Sequence, residues 1–289
     1  MARTYDASAV AVLAQSKRDL AIAAIVVFCV SVGLYLDEDC SRIEQYFLGA
    51  IAWCFLFGLL QFEAPAIRMQ VGVAVAVATL CEYSFAPLYH IYTYRFDNVP
   101  AYVPPGHGMV YLTAVALARC ALFERYGALI ARVTLVIGAC WALWGVTYAE
   151  RADMGGAVLF LVFCGFFFVG RSPLLYIAAF YITSYLEIVG TYSGTWAWAV
   201  HWPSWGHLPQ ANPPSGIAAG YCFLDTIALL GAPILARFIN YCGRTFRRLQ
   251  PVPHPRKPRA VGARKLLIAG RNQRACRAGY ARDDVGAVE

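Results

Sequence analysis

Glu82, Glu187 and Asp225 are carboxyl side chains placed inside long apolar stretches of the chain. An ionised carboxylate in hydrocarbon costs roughly 2.5–3.5 kcal/mol on insertion scales, so an acid retained there is a functional candidate. Shut away from water, a carboxyl holds its proton more readily. A proton held in an apolar, aromatic-lined cavity is what a general acid for alkene chemistry requires. Counted at ~1.5 Å per residue along their helices, the three acids share one depth, slightly outside the midplane. The expected roles are Glu187 and Glu82 as acid and base, with Asp225 in support. The alternative is structural: a neutral carboxyl bonded to Tyr or Thr of a neighbouring helix, tying the bundle together.

The surroundings of the two glutamates match. After each comes an alternating aromatic pair, Tyr92 and Tyr94 in the first segment and Trp196 and Trp198 in the second. A Pro-rich loop ending in Pro-Pro follows, then a Gly that opens a new apolar helix, with Tyr111 or Tyr221 five residues into it. The two segments read as walls of one site, and the aromatic side chains as substrate contacts able to stabilise cations. Thr183, Glu187 and Thr191 recur every four residues and make one polar stripe, as do Tyr221 and Asp225. Gly190 and Gly194 form a GxxxG that would let another helix approach beside Glu187. Of the four histidines in or beside the outward loops, His90, His107, His201 and His207, the one to test first as a substrate contact is His107, between two glycines at a helix start.

The run Glu187-x-x-Gly190-x-x-x-Gly194-x-Trp196-x-Trp198, with its Pro-rich sequel, resembles a motif of the carotenoid-biosynthesis membrane proteins that include carotenoid hydratases. In that family a Glu, spaced glycines and an alternating aromatic pair precede a Pro-containing stretch. The match covers about a dozen of the 289 positions. Trp stands here where the family has Tyr, and the Gly-rich aromatic turn before the pair is altered. The resemblance implies acid-catalysed chemistry on an isoprenoid chain, with Glu187 as the acid.

Composition dictates what must position these residues. The chain is 60% hydrophobic and 14% charged, with mean hydropathy +0.53, and its apolar runs approach the ~20 residues that cross a bilayer. The expected fold class is an all-α, polytopic membrane bundle. Eight spans are expected, at 20–36, 46–62, 69–92, 107–124, 127–148, 155–170, 173–198 and 216–238. They follow a short N-terminal segment, 1–19, and form two parallel four-helix halves, 20–125 and 126–242. Asp37, Glu38 and Asp39 follow the first apolar run where a cleavage site would need small residues, so that run is expected to stay as a helix. Lys17, Arg18, Arg68, Arg125, Arg171, Arg237 and Arg244 fall on one side. Arg42, Arg95 and Arg151 fall on the other, offset by Asp37, Glu38, Asp39, Asp97, Glu150 and Asp153. By the positive-inside rule both termini are cytoplasmic and the Pro-rich loops face outward, in what we expect to be a bacterial plasma membrane.

The tail from Gly243 is basic and Pro-broken, and suits anionic headgroups. It lacks the aromatic interleaving of a nucleic-acid binder. The ten cysteines are mostly scattered singly through spans, without a Cys-x-x-Cys pair, and read as small apolar filler. The histidines and acids show no helical ligand spacing, so no metal site is assigned and the sequence names no cofactor. Arg132 should snorkel to the interface, whereas Arg119 could snorkel or pair with a cavity acid. No Lys lies in a span, which argues against a retinal Schiff base, and no phosphate loop or Gly-x-Ser-x-Gly elbow is present, which argues against a nucleotide-driven pump or a serine hydrolase. Three readings remain open: a hydratase, cyclase or isomerase of an isoprenoid-like lipid, a proton-coupled carrier, and a pigment- or lipid-binding subunit.

Overall fold

The computed structural model describes residues 7–203 and 207–249. The chain divides into Met1–Asn240 and Tyr241–Glu289; in the second unit the described residues continue the last helix. The basic tail assigned from Gly243 lies outside the described residues, apart from the helical backbone to Leu249.

Among the described residues the protein is all-helical apart from two three-residue strands. In order the elements are α1 (Ala7–Asp39), α2 (Arg42–Leu60), α3 (Pro65–Phe85), β1 (Tyr92–Tyr94), α4 (Val103–Ala118), α5 (Ala121–Thr147), α6 (Met154–Val169), α7 (Pro173–Tyr192), β2 (Trp196–Trp198) and α8 (Ala218–Leu249). Six of the helices are long and apolar enough to cross a membrane: α1, α2, α3, α5, α7 and α8. α4 and α6 have 16 residues each, about 24 Å at 1.5 Å per residue, short of a ~30 Å hydrocarbon core. The long helices carry exposed Phe28, Phe47, Leu80, Val136 and Ile234. Apolar surface all round a helix belongs in lipid.

Helix starts follow ordinary rules. Pro65 and Pro173 occupy first-turn positions, where the missing N–H is no loss. Ser41 and Glu44 form a reciprocal capping box at α2. α4 opens with Val103-Pro104-Pro105, earlier than the expected start at 107, because both prolines fit the first turn. It then runs through the middle of the bundle, packed against α7, α3, α1 and α2, with Met109, Val110, Tyr111, Leu112, Ala114 and Ala116 all buried.

The expected span 107–124 runs past the end of α4 at Ala118 into α5, and 69–92 and 173–198 overrun their helices into extended chain. α3 stops at Phe85 with Ala86 still in helical backbone as its C-cap, because Pro87 has no N–H to continue the ladder. Pro87 therefore follows the helix and does not kink it. α7 stops at Tyr192, and Gly194 takes φ +66, the left-handed turn that reverses the chain. The aromatic pairs beyond these stops are extended. β1 and β2 pair antiparallel, Tyr92 opposite Trp198, Thr93 opposite Ala197 and Tyr94 opposite Trp196.

Candidate functional site

The ribbon brings the two segments together and turns every second side chain the same way. Tyr92, Tyr94, Trp196 and Trp198 are buried, while the central Thr93 and Ala197 face outward. Cross-strand ring centroids lie 4.8 Å apart for Tyr92–Trp198 and 6.1 Å for Tyr94–Trp196. Each aromatic pair then reaches back to the glutamate of its own segment. The Tyr92 and Tyr94 hydroxyls donate to Glu82 Oε2 at 2.9 and 2.8 Å. The Trp196 and Trp198 indole N–H groups donate to Glu187 Oε2 at 2.9 and 3.0 Å. Burial, followed by the nearby Glu82 charge, pushes both tyrosine hydroxyls well above the ordinary phenol range, so they remain neutral donors.

The other oxygens differ. Glu82 Oε1 lies 2.7 Å from His107 Nε2. Glu187 Oε1 takes no hydrogen bond among the described residues and is not among the fully enclosed polar atoms. The His107 ring stacks on Tyr221, centroids 5.4 Å apart, and its Nδ1 is buried without a partner. Tyr221 lies within electrostatic reach of all three acids. Asp225, one turn along α8, is 1% exposed and neither of its oxygens has a partner. Tyr111 lies within reach of the Asp225 charge and donates to Gln70 Oε1 at 3.1 Å. Two tiers result by helical spacing: Glu82, Glu187, His107 and Tyr221 above, Tyr111, Thr183 and Asp225 one turn below. Thr183 Oγ1 is also buried and unpartnered.

Some expected residues are spent otherwise. The Thr191 hydroxyl bonds its own helix, at the Glu187 carbonyl oxygen, 2.7 Å away. Gly190 makes room for the Trp196 ring, which a Cβ there would strike; it does not seat a neighbouring helix. Arg119 neither snorkels nor enters the cavity. It donates to Glu63 at 2.8 and 2.9 Å and to Asp19 at 2.6 Å, and Arg18 also pairs with Glu63. His90 has left the helix, with φ 50. Among the described residues no cluster of three or more His, Cys, Asp or Glu could hold a metal.

The charges between helices, read from sequence as topological counter-charges, also fasten the ribbon. Arg151 donates to the carbonyl oxygens of Trp198, Ala199 and Gln210. Arg95 donates to those of Glu38 and Cys40 at 2.8 Å. Asp153 accepts from the backbone N–H groups of Gly156, Ala211 and Ser215 at 3.0, 2.8 and 2.8 Å, and Asn212 Oδ1 from that of Trp198 at 2.9 Å. Backbone acceptors and donors carry no sequence signature, which is why this scaffold was not anticipated. Gln70 and Gln210 were missed for the same reason: a lone glutamine in or beside an apolar run gives no pattern.

Apolar grooves occur elsewhere. One of about 250 Å³ lies between α1, α4 and α7, lined by Ala23, Val27, Leu117, Ile182 and Tyr185 among others. A wider one lies along α2. Neither is lined by the three acids.

The geometry gathers three acids with one histidine, and no Lys or Arg of the described residues is bonded to any of them. Such a site favours positive charge, as protons or as a cationic reacting centre, and its aromatic faces favour the same sign. No family model matches this chain, and neither a curated protein nor a solved structure was found to resemble it.

Proposed function

We propose that this is an integral membrane enzyme that uses acid–base chemistry on a hydrophobic, isoprenoid-like lipid, as a hydratase, cyclase or isomerase. One observation carries the reading: two glutamates brought together by one ribbon, each oriented by its own aromatic pair, with no basic side chain of the described residues but His107 bonded to either. Glu187 is the proton donor, with Oε1 as its free face. Glu82, bonded by His107 and two tyrosines, is the partner base, and Asp225 supports a developing positive charge one turn below. The carotenoid-biosynthesis resemblance at Glu187 through Trp198 agrees with this assignment. Protonating an isoprenoid double bond yields a tertiary cation, the kind of centre that an acid-rich, aromatic site stabilises.

The proposal extends to organisation. The chain is read as two parallel four-helix repeats and eight spans, with α4 and α6 as short spans. Both termini are cytoplasmic, the ribbon lies at the outer end, and the basic tail lies against anionic headgroups.

Lipid extraction from the purified protein followed by mass spectrometry tests the function. An isoprenoid together with its hydrated, cyclised or isomerised product is the expected result. A stoichiometric unmodified pigment would replace the enzyme by a binding subunit, and a dependence on a polar solute would replace it by a carrier.

A further inference from the structure

The two aromatic pairs differ in one chemical respect. A tyrosine hydroxyl both donates and accepts, whereas an indole N–H only donates. Tyr92 and Tyr94 can therefore serve either protonation state of Glu82 Oε2 by rotating their hydroxyl hydrogens. Trp196 and Trp198 cannot. Two N–H groups, at 2.9 and 3.0 Å, point at Glu187 Oε2, and a proton on that oxygen would confront them with no acceptor to take it. Of the four glutamate oxygens in the upper tier, Glu187 Oε2 is the one whose neighbours forbid a proton.

We infer that Trp196 and Trp198 are positioning residues that confine the Glu187 proton to Oε1, the oxygen without a hydrogen-bond partner among the described residues. Glu187 is thereby a carboxylic acid with a fixed carbonyl, Oε2, and a fixed hydroxyl, Oε1. A proton presented from one known oxygen needs no rotation of the carboxyl before transfer, which is the preorganisation that general acid catalysis rewards. Gly190 belongs to the same device, since its missing side chain lets the Trp196 ring lie against α7 and aim its N–H inward. At Glu82 the tyrosines and His107 leave the proton free to move between partners, as a group that must accept one requires.

This inference rests on the acid role proposed for Glu187, but infrared spectroscopy tests it without a substrate. The purified protein is titrated through its stable pH range, and the carboxylic C=O band lost in Glu187→Gln is assigned to Glu187. Because its carbonyl is Oε2, Trp196→Phe and Trp198→Phe should each move that band to higher wavenumber, and Tyr92→Phe and Tyr94→Phe should leave it in place. Each single variant is read only once its thermal unfolding shows a folded protein, and either tryptophan alone suffices. A Glu187 band that neither tryptophan variant moves overturns the inference. So does the absence of any carboxylic band lost in Glu187→Gln, an outcome that removes the acid role as well. If the bands shift as expected while Glu187→Gln keeps full activity, the proton placement stands and the catalytic reading falls.

Discussion

Replacing Glu187 by Gln separates a structural carboxyl from a catalytic one. The carboxamide has the same size, and its oxygen can take the place of Oε2, accepting from Trp196 and Trp198 at the distances now seen. Its NH2 then occupies the Oε1 position, where no protein group is displaced. Both hydrogen bonds survive with a neutral acceptor, so the expected stability loss is about 1 kcal/mol or less, a fall in Tm of about 2–4 °C. Catalysis responds on another scale. An amide has no proton to transfer, and general acids contribute about 10²–10⁴-fold, or about 3–5 kcal/mol of barrier. Glu187→Ala is the contrast, because it strands two buried indole N–H groups at about 1–3 kcal/mol each and should lose stability and activity together. The assay is conversion of the co-purifying lipid in membranes, beside thermal unfolding in detergent. Conversion by Glu187→Gln within threefold of the native rate, at near-native Tm, would refute the acid assignment.

Gly190→Ala should push the Trp196 ring off its seat, seen as altered tryptophan fluorescence, with lost activity and an overpacking cost of about 1–3 kcal/mol. Arg119→Ala leaves the buried Glu63 and Asp19 short of a partner. It should lower stability by about 2–3 kcal/mol in chemical or thermal unfolding, somewhat below the ~3–5 kcal/mol of a fully buried pair because Arg119 is partly exposed. Cys40 has its thiol pushed up by burial and then by the Asp37 charge. Less thiolate is therefore present at neutral pH than for an ordinary thiol, and maleimide labelling of Cys40 should be slow there and accelerate only in more alkaline buffer.

Fold class was legible because it rests on composition and run length, which the helices obey. That Glu82 and Glu187 belong to matching segments was legible from the alternating aromatic pair and Pro-rich loop that follow each, and the two segments do lie side by side through β1 and β2. The ribbon itself was not legible. Tyr-Thr-Tyr and Trp-Ala-Trp alternate with the period of a strand, but they come soon after apolar helix sequence, and the expected spans took in Tyr92 and all of Trp196–Trp198. Two punctuation marks would have cut them free: Pro87, which ends α3, and Gly194, whose positive φ ends α7. Gly190 misled for a different reason. Spaced glycines state that something must come close without stating what, and here it is an aromatic ring from the same segment. His107 was picked out for its position at a helix start, yet its bond to Glu82 spans 25 residues and two elements, which no local spacing encodes. The same holds for Arg119, whose partners lie 56 and 100 residues away.

The imbalance between three acids and one histidine also sets what this site will refuse. An anionic lipid headgroup or a free fatty acid carboxylate entering between Glu82, Glu187 and Asp225 finds no Lys or Arg of the described residues bonded there to balance it, and opposes the ionisation of any of the three carboxyls. A lipid amine meets the reverse. Neutral hydrocarbon and cations are therefore expected to be favoured over anions at this site. If the site performs the proposed acid–base reaction, an isoprenoid with a protonated nitrogen in place of its reacting carbon is the expected inhibitor, held for the charge that the substrate acquires only in passing.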